Sequence, residues 1–130
     1  AGTRPGGAIS SAWAVMNYLG IDGYRQKQQS VTRARASIEV GVSEMGFEVL
    51  GAPKLGIMAF SHPELDIFAL YKRLYERGWV TSLCTQPKAL HLMLSPFHET
   101  VAAQYLADLT WAVAQVRAGI NDAVTEVRYS

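Results

Sequence analysis

The sequence predicts an α+β domain, an antiparallel sheet of three to four strands with helices packed on one face. Three observations point to it. Residues 8–45 carry helical spacing and no strand signal. Two pairs of short β-compatible runs follow, each pair joined by a turn marked with Gly or Pro. A helical stretch separates the pairs and another follows them. Strands joined in close pairs favour antiparallel pairing with helices gathered on one side.

The opening residues, Ala1 to Gly7, are rich in Gly and Pro and read as a loop entering a helix. Pro5 suits a first helical turn, where its missing N–H is not needed. Ile9, Ala12, Trp13, Met16 and Leu19 then recur in steps of three and four, one helical stripe. Gly20 is a stop for that helix and Asp22 an N-cap for the next. The second helix runs through Tyr24, Val31, Ala34, Ile38 and Val42. Its other face carries Arg25, Lys27, Gln28, Arg33 and Arg35 and reads as solvated.

After Gly46 the period changes. Phe47–Leu50 and Leu55–Phe60 read as strands around the Gly51-Ala52-Pro53 turn. Ile67, Leu70, Tyr71 and Leu74 mark a helix face, capped by Asp66 or Ser61 and stopped by Gly78. Trp79–Leu83 reads as a third strand, Thr85–Lys88 as a turn and Ala89–Leu94 as a fourth strand. The last helix starts at Glu99, with Val101, Tyr105, Leu109, Val113 and Val116 on one side. The tail from Ile120 has weak helical character.

At 130 residues the chain is one domain's worth, and small for a complete enzyme. Long helices over 8–45, an α/β portion over 46–118 and a tail over 119–130 make up the expected single domain. Hydrophobic residues at 49% and charged residues at 18% exclude a disordered or collagen-like chain. A net charge of +1 lacks the basic excess of a nucleic-acid module. No run approaches the ~20 apolar residues that span a bilayer. The lone Cys84 has no partner for an internal disulfide, and no secretory signal is visible. A reducing, cytoplasmic setting is expected.

Local motifs for chemistry are sparse. His62, His91 and His98 show no helical metal spacing, and no metal site is expected. His91 alternates with Leu90 and Leu92, so it faces either solvent or a cleft. No serine sits in a nucleophile-elbow pattern, and carboxylates are scattered. The strongest feature is Gly2-Thr3-Arg4-Pro5-Gly6-Gly7 leading into a helix. Backbone N–H groups at a helix start, a hydroxyl and an arginine form an anion-binding set.

That same segment, with Trp13-Ala14, Tyr18-Leu19-Gly20 and Gly23-Tyr24, resembles the G-[ST]-R-P-G-G region of the pyridoxal-phosphate-dependent group II decarboxylases. Further matches follow in order. They are Gly51-Ala52-Pro53 through Ala59-Phe60-Ser61, then Asp66-Ile67 through Arg77-Gly78-Trp79. Gln86-Pro87, Leu90-His91, His98 and Tyr105-Leu106-Ala107-Asp108 complete the set, so the likeness covers residues 1–118. Within the group it is greatest to the lyases that act on phosphorylated sphingoid bases.

The resemblance implies the small C-terminal domain of a fold-type-I enzyme. Its partners would be its own large cofactor-binding domain and a second subunit. The implied cofactor is pyridoxal 5'-phosphate, and the implied substrate is a small phosphorylated amino compound. The family attaches its cofactor through a His-Lys motif upstream of the G-[ST]-R-P segment. No His-Lys pair occurs here, so no catalytic residue is expected in this chain.

Carried over from the family, Thr3, helped by the backbone at Gly2, reaches the cofactor phosphate of the neighbouring subunit. Arg4 braces the loop or adds positive potential. His91 and Ser95 border the active-site mouth as substrate contacts. Glutamate-type decarboxylases place a carboxylate-binding arginine near the equivalent of Ser95, and this sequence has none there. The implied reaction is a retro-aldol cleavage giving an aldehyde and phosphoethanolamine. The alternatives are the C-terminal domain of an L-amino-acid decarboxylase, or a stand-alone dimerisation or ligand-binding module.

Overall fold

The computed structural model describes residues 2–119. A long helix α1 (Gly6–Glu44) is followed by strands β1 (Glu48–Val49) and β2 (Ile57–Ser61). Helix α2 (Ile67–Glu76), strands β3 (Ser82–Thr85) and β4 (Lys88–Met93), and helix α3 (His98–Arg117) complete it. The strands form one antiparallel sheet in the order β1-β2-β4-β3. The predicted class therefore holds. The tail predicted beyond residue 119 lies outside the described residues.

The two expected opening helices form one element with a break at Gly20. There φ is 58° and ψ is −173°, non-helical angles open to glycine at little cost. Among the described residues no helix position before the break is fully buried, and only Leu19 is half-buried. Ile9, Trp13 and Met16 form an apolar stripe, yet all three are exposed. After the break Val31, Ala34, Ile38 and Val42 turn inward, as their spacing predicts. Gly41 lets α3 come close, since a Cβ there would meet both Cδ atoms of Leu106 at 2.6 Å.

The predicted solvated face of α1 needs one correction. Arg35 is largely buried and pairs with Glu39 one turn on. Arg33 remains exposed and reaches across to α3, where its Nε donates to Glu99 at 2.5 Å. Such an exposed pair adds little stability but helps fix how the two helices meet.

The core lies between the helices and one sheet face. Met58 pairs in register with Leu92, and Phe60 with Leu90, so four buried side chains share that face. Leu70 and Leu74 of α2 and Leu109 and Val113 of α3 pack in the same cluster with Ile38 and Val42. The opposite face carries Ile57 beside Met93 and Ala59 beside His91. Ile57 and Met93 are both exposed. Among the described residues this face is therefore left partly apolar and exposed.

Local chemistry explains the element ends. Asp66, not Ser61, caps α2, accepting from the Phe68 and Ala69 N–H groups at 2.9 and 3.4 Å. The α2 terminus closes when the Trp79 N–H folds back to the Leu74 carbonyl at 3.0 Å. That closure takes Trp79 out of the predicted third strand, which begins at Ser82. Its indole instead donates to Asp108 of α3 at 2.9 Å. Gln104 also donates to Asp108, at 3.0 Å, and the Arg77 guanidinium lies 3.4 Å from it while stacking over Trp111.

The first predicted strand shortens to two residues, although the Leu50 N–H still reaches the Ala59 carbonyl at 2.8 Å. The predicted Thr85–Lys88 turn tightens to Gln86-Pro87, because Thr85 and Lys88 are themselves paired. The last helix starts at His98, one residue before the expected Glu99.

Gly56, at the entry to β2, is tightly enclosed. A Cβ there would sit 2.7 Å from Val31 Cγ1 and 2.8 Å from the Leu94 carbonyl oxygen. The second neighbour is backbone and gives way less readily than a side-chain tip. Gly56→Ala is therefore expected to cost roughly 1–2 kcal/mol, read from urea unfolding midpoints.

Candidate functional site

The residues singled out from the sequence fall in two places. The first is the loop before α1. Pro5 occupies the N-cap position with φ −62° and ψ 128°, and no side chain caps the helix. No acidic residue lies in the first turn, so the backbone N–H groups there keep their positive end unopposed. Gly2, Thr3 and Arg4 are all exposed. Arg4 makes no hydrogen bond or ion pair among the described residues.

A phosphate group fits this donor set: N–H groups of the first turn, the Thr3 hydroxyl and the positive end of the helical arm that runs to Gly20. The remainder of a pyridoxal cofactor finds no attachment here. Lys27 lies on α1, Lys54 between β1 and β2, Lys72 on α2 and Lys88 on β4. No lysine belongs to the loop.

The second place is a cavity of about 120 Å³ where β3, β4 and the start of α3 converge. His91 lines it from β4, in register with Ser82 on β3. His98 lines it from the first turn of α3. Of the cleft and solvent alternatives for His91, the structure shows a half-buried ring at a cleft. Ser95 is not among the lining residues. Its N–H donates to His98 Nδ1 at 2.8 Å, and its hydroxyl lies 3.0 Å from the same atom. Nδ1 thus acts as acceptor, and the neutral ring carries its proton on Nε2. Ser95 positions His98 and has no direct place in the cavity.

Three lining residues were not singled out for chemistry from the sequence: His98, Thr81 and Tyr105. The spacing Ser95-x-x-His98 at a helix start was the available signal for the first. Tyr105 lies on the buried stripe of α3, where periodicity sees only its ring. None of the lining residues comes from the amino-terminal loop.

His62 is structural. Its Nδ1 accepts from the Glu64 N–H at 3.1 Å, and its ring meets Phe47 edge-on. Among the described residues no three His, Cys, Asp or Glu side chains are grouped to hold a metal ion. No described helix is long and apolar enough to cross a membrane.

Fold and sequence comparisons meet on one class: the chain is a homologue of the pyridoxal-phosphate-dependent group II decarboxylases. Sphingosine-1-phosphate lyases are prominent among its relatives. The Arabidopsis thaliana lyase is 35% identical over 119 residues, 91% of this chain and 22% of that protein. A probable L-tyrosine/L-aspartate decarboxylase of Methanothermobacter thermautotrophicus is 34% identical over 95 residues, 73% of this chain and 26% of that protein. The structure of Burkholderia pseudomallei sphingosine-1-phosphate lyase superposes with a TM-score of 0.84 at 28% identity. It covers 92% of this chain and 28% of that one. The chain thus spans about a fifth of the length of the plant lyases it matches. No family model matches the sequence.

Proposed function

We propose that this chain serves as the small C-terminal domain of a pyridoxal-phosphate-dependent carbon–carbon lyase of the sphingosine-1-phosphate lyase kind. The observation that carries the reading is the superposition on such a lyase over 92% of the chain. The cofactor, when bound, supplies the electron sink for the bond that breaks. The chain's own contribution is to binding. Thr3 and the backbone at Gly2 hold the phosphate of a cofactor carried by a neighbouring subunit, and Arg4 adds positive potential. His91 faces the substrate at the mouth of the site.

The reaction proposed for the longer protein is retro-aldol cleavage of a phosphorylated sphingoid base. The carbinol hydroxyl gives up its proton as the carbon–carbon bond breaks, releasing an aldehyde. The amino carbon takes up a proton and leaves as phosphoethanolamine. The absence of an arginine at Ser95 supports this over a dicarboxylic substrate. An amino-acid decarboxylase is the second reading, favoured by the 34% identity to the tyrosine/aspartate enzyme. The apolar stripe of α1 and the uncovered sheet face fit contacts with the large domain and a second subunit. The single cysteine fits a cytoplasmic setting.

The test uses the longer protein that carries this segment. Thr3→Ala is expected to weaken pyridoxal phosphate binding about tenfold, the scale of one lost hydrogen bond to a charged group. Thr3→Ser is expected to retain it. Both are read by titrating the cofactor back into stripped protein and following its absorbance. Unchanged affinity in Thr3→Ala removes Thr3 from the phosphate site.

A further inference from the structure

The cavity lined by His91 also contains two hydroxyls that lack a partner. Tyr105 Oη and Thr81 Oγ1 are buried and make no hydrogen bond among the described residues. Tyr105 is only 3% exposed. An unpaired buried hydroxyl is costly, so two of them lining one cavity mark a place for an outside hydrogen-bonding group.

The lining restricts what that group belongs to. Among the described residues no Arg, Lys, Asp or Glu borders the cavity. A cationic occupant would lose its hydration with no carboxylate there to replace it. Burial pushes the Tyr105 phenol up, so it stays protonated and able to donate. Thr81 can donate or accept, and His98 offers its Nε2 proton. Ile38 and Leu92 supply apolar wall. A closed apolar cavity of roughly 150 Å³ admits benzene, so this partly open space of about 120 Å³ limits an occupant to about one ring, part of it in the mouth. Tyr105 and Ile38 are buried, while Val80 and Met93 are exposed, which leaves an entrance on the sheet side.

We propose that this cavity is a binding site for a small neutral molecule with an apolar body and one hydroxyl, phenol being the type. The described lining belongs to this chain and shares His91 with the substrate-facing position proposed above, while Thr81 and Tyr105 take no part in that reading. Phenol and benzene, titrated separately into the isotope-labelled chain, distinguish its parts by NMR. Phenol is expected to give saturable shifts at Thr81, His91 and Tyr105, with benzene binding at least tenfold more weakly. Combining Thr81→Val with Tyr105→Phe is expected to remove that preference while benzene binding persists. If the double variant does not fold, each single variant is expected to lose part of the preference. Shifts that do not saturate would overturn the proposal. So would equal binding of benzene and phenol, or a crystal grown with phenol that shows only ordered water in the cavity.

Discussion

Phe60→Ala is expected to lower the free energy of unfolding by about 3–5 kcal/mol. Phe60 is fully buried in β2 and lies opposite Leu90 in register. Its ring meets Phe47 edge-on, with centroids 5.3 Å apart and planes at 89°. The side chain belongs to the cluster that joins the sheet to all three helices. Removing the ring therefore opens a hole bounded by elements that cannot all close in together, because β-ladder bonds fix β2 and helix packing fixes the opposite wall. Domains of this size are stable by only about 5–15 kcal/mol, so the loss is a large share of the total. Urea unfolding at pH 7 measures it. Phe60→Leu, which keeps more of the volume, is expected to cost less. A loss below about 1 kcal/mol for Phe60→Ala would contradict the packing described here.

Asp108→Ala is expected to cost on the order of 3 kcal/mol at neutral pH, from lost charge-assisted hydrogen bonds and an indole N–H left without its acceptor. The effect should depend on pH. Hydrogen bonds from Gln104 and Trp79, aided by the charge of Arg77, hold the Asp108 carboxyl below its ordinary value. The unfolded chain therefore binds the proton more readily than the folded one. Asp108 contributes its full stabilisation above the ordinary aspartate value near ~3.9 and loses it as pH falls through the lower folded value. Unfolding midpoints of the native chain should fall between neutral and strongly acid pH, and those of Asp108→Asn should fall less. Part of the fall persists in the variant, because Glu99 is lowered in the same direction by its bond to Arg33. Parallel pH profiles in the two proteins would show that Asp108 is not held ionised by these neighbours.

The same aspartate shows what the sequence could and could not say. Arg77, Trp79 and Asp108 all fall in the stretches whose order matches the decarboxylase family, yet no local rule predicts that they meet. Trp79-Val80 has strand-forming letters, and strand was the expectation. The helix closure at Leu74 and the indole bond to Asp108 outweigh that local preference. By contrast, the apolar face and the cap of α2 were legible, although Arg73, on the side expected to face solvent, is buried as well. A four-point apolar face and an acidic cap need only neighbours in sequence, and Ile67, Leu70 and Leu74 are buried as spaced.

The strand pairs were legible as hairpins, but the placement of β4 beside β2 joins segments separated by a whole helix. The candidate site divides in the same way. The loop at Thr3 announces itself by composition. His91 could be placed on a face by alternation. Thr81 and Tyr105 could not be found, since their hydroxyls matter only through the cavity that four elements enclose. The exposed stripe of α1 marks a further limit, because periodicity identifies an apolar face without saying which molecule covers it.

The break at Gly20 turns a question of chemistry into one of aim. The fourteen helical residues before it make an arm of about 21 Å at ~1.5 Å per residue, and the Thr3 loop rides at its tip. A rotation of only ~10° at that joint would carry the tip through roughly 3.7 Å, more than the length of a hydrogen bond. Whether the hydroxyl meets a phosphate is thus governed by two backbone angles far from it. A surface packed along the exposed Ile9, Trp13 and Met16 would set that aim.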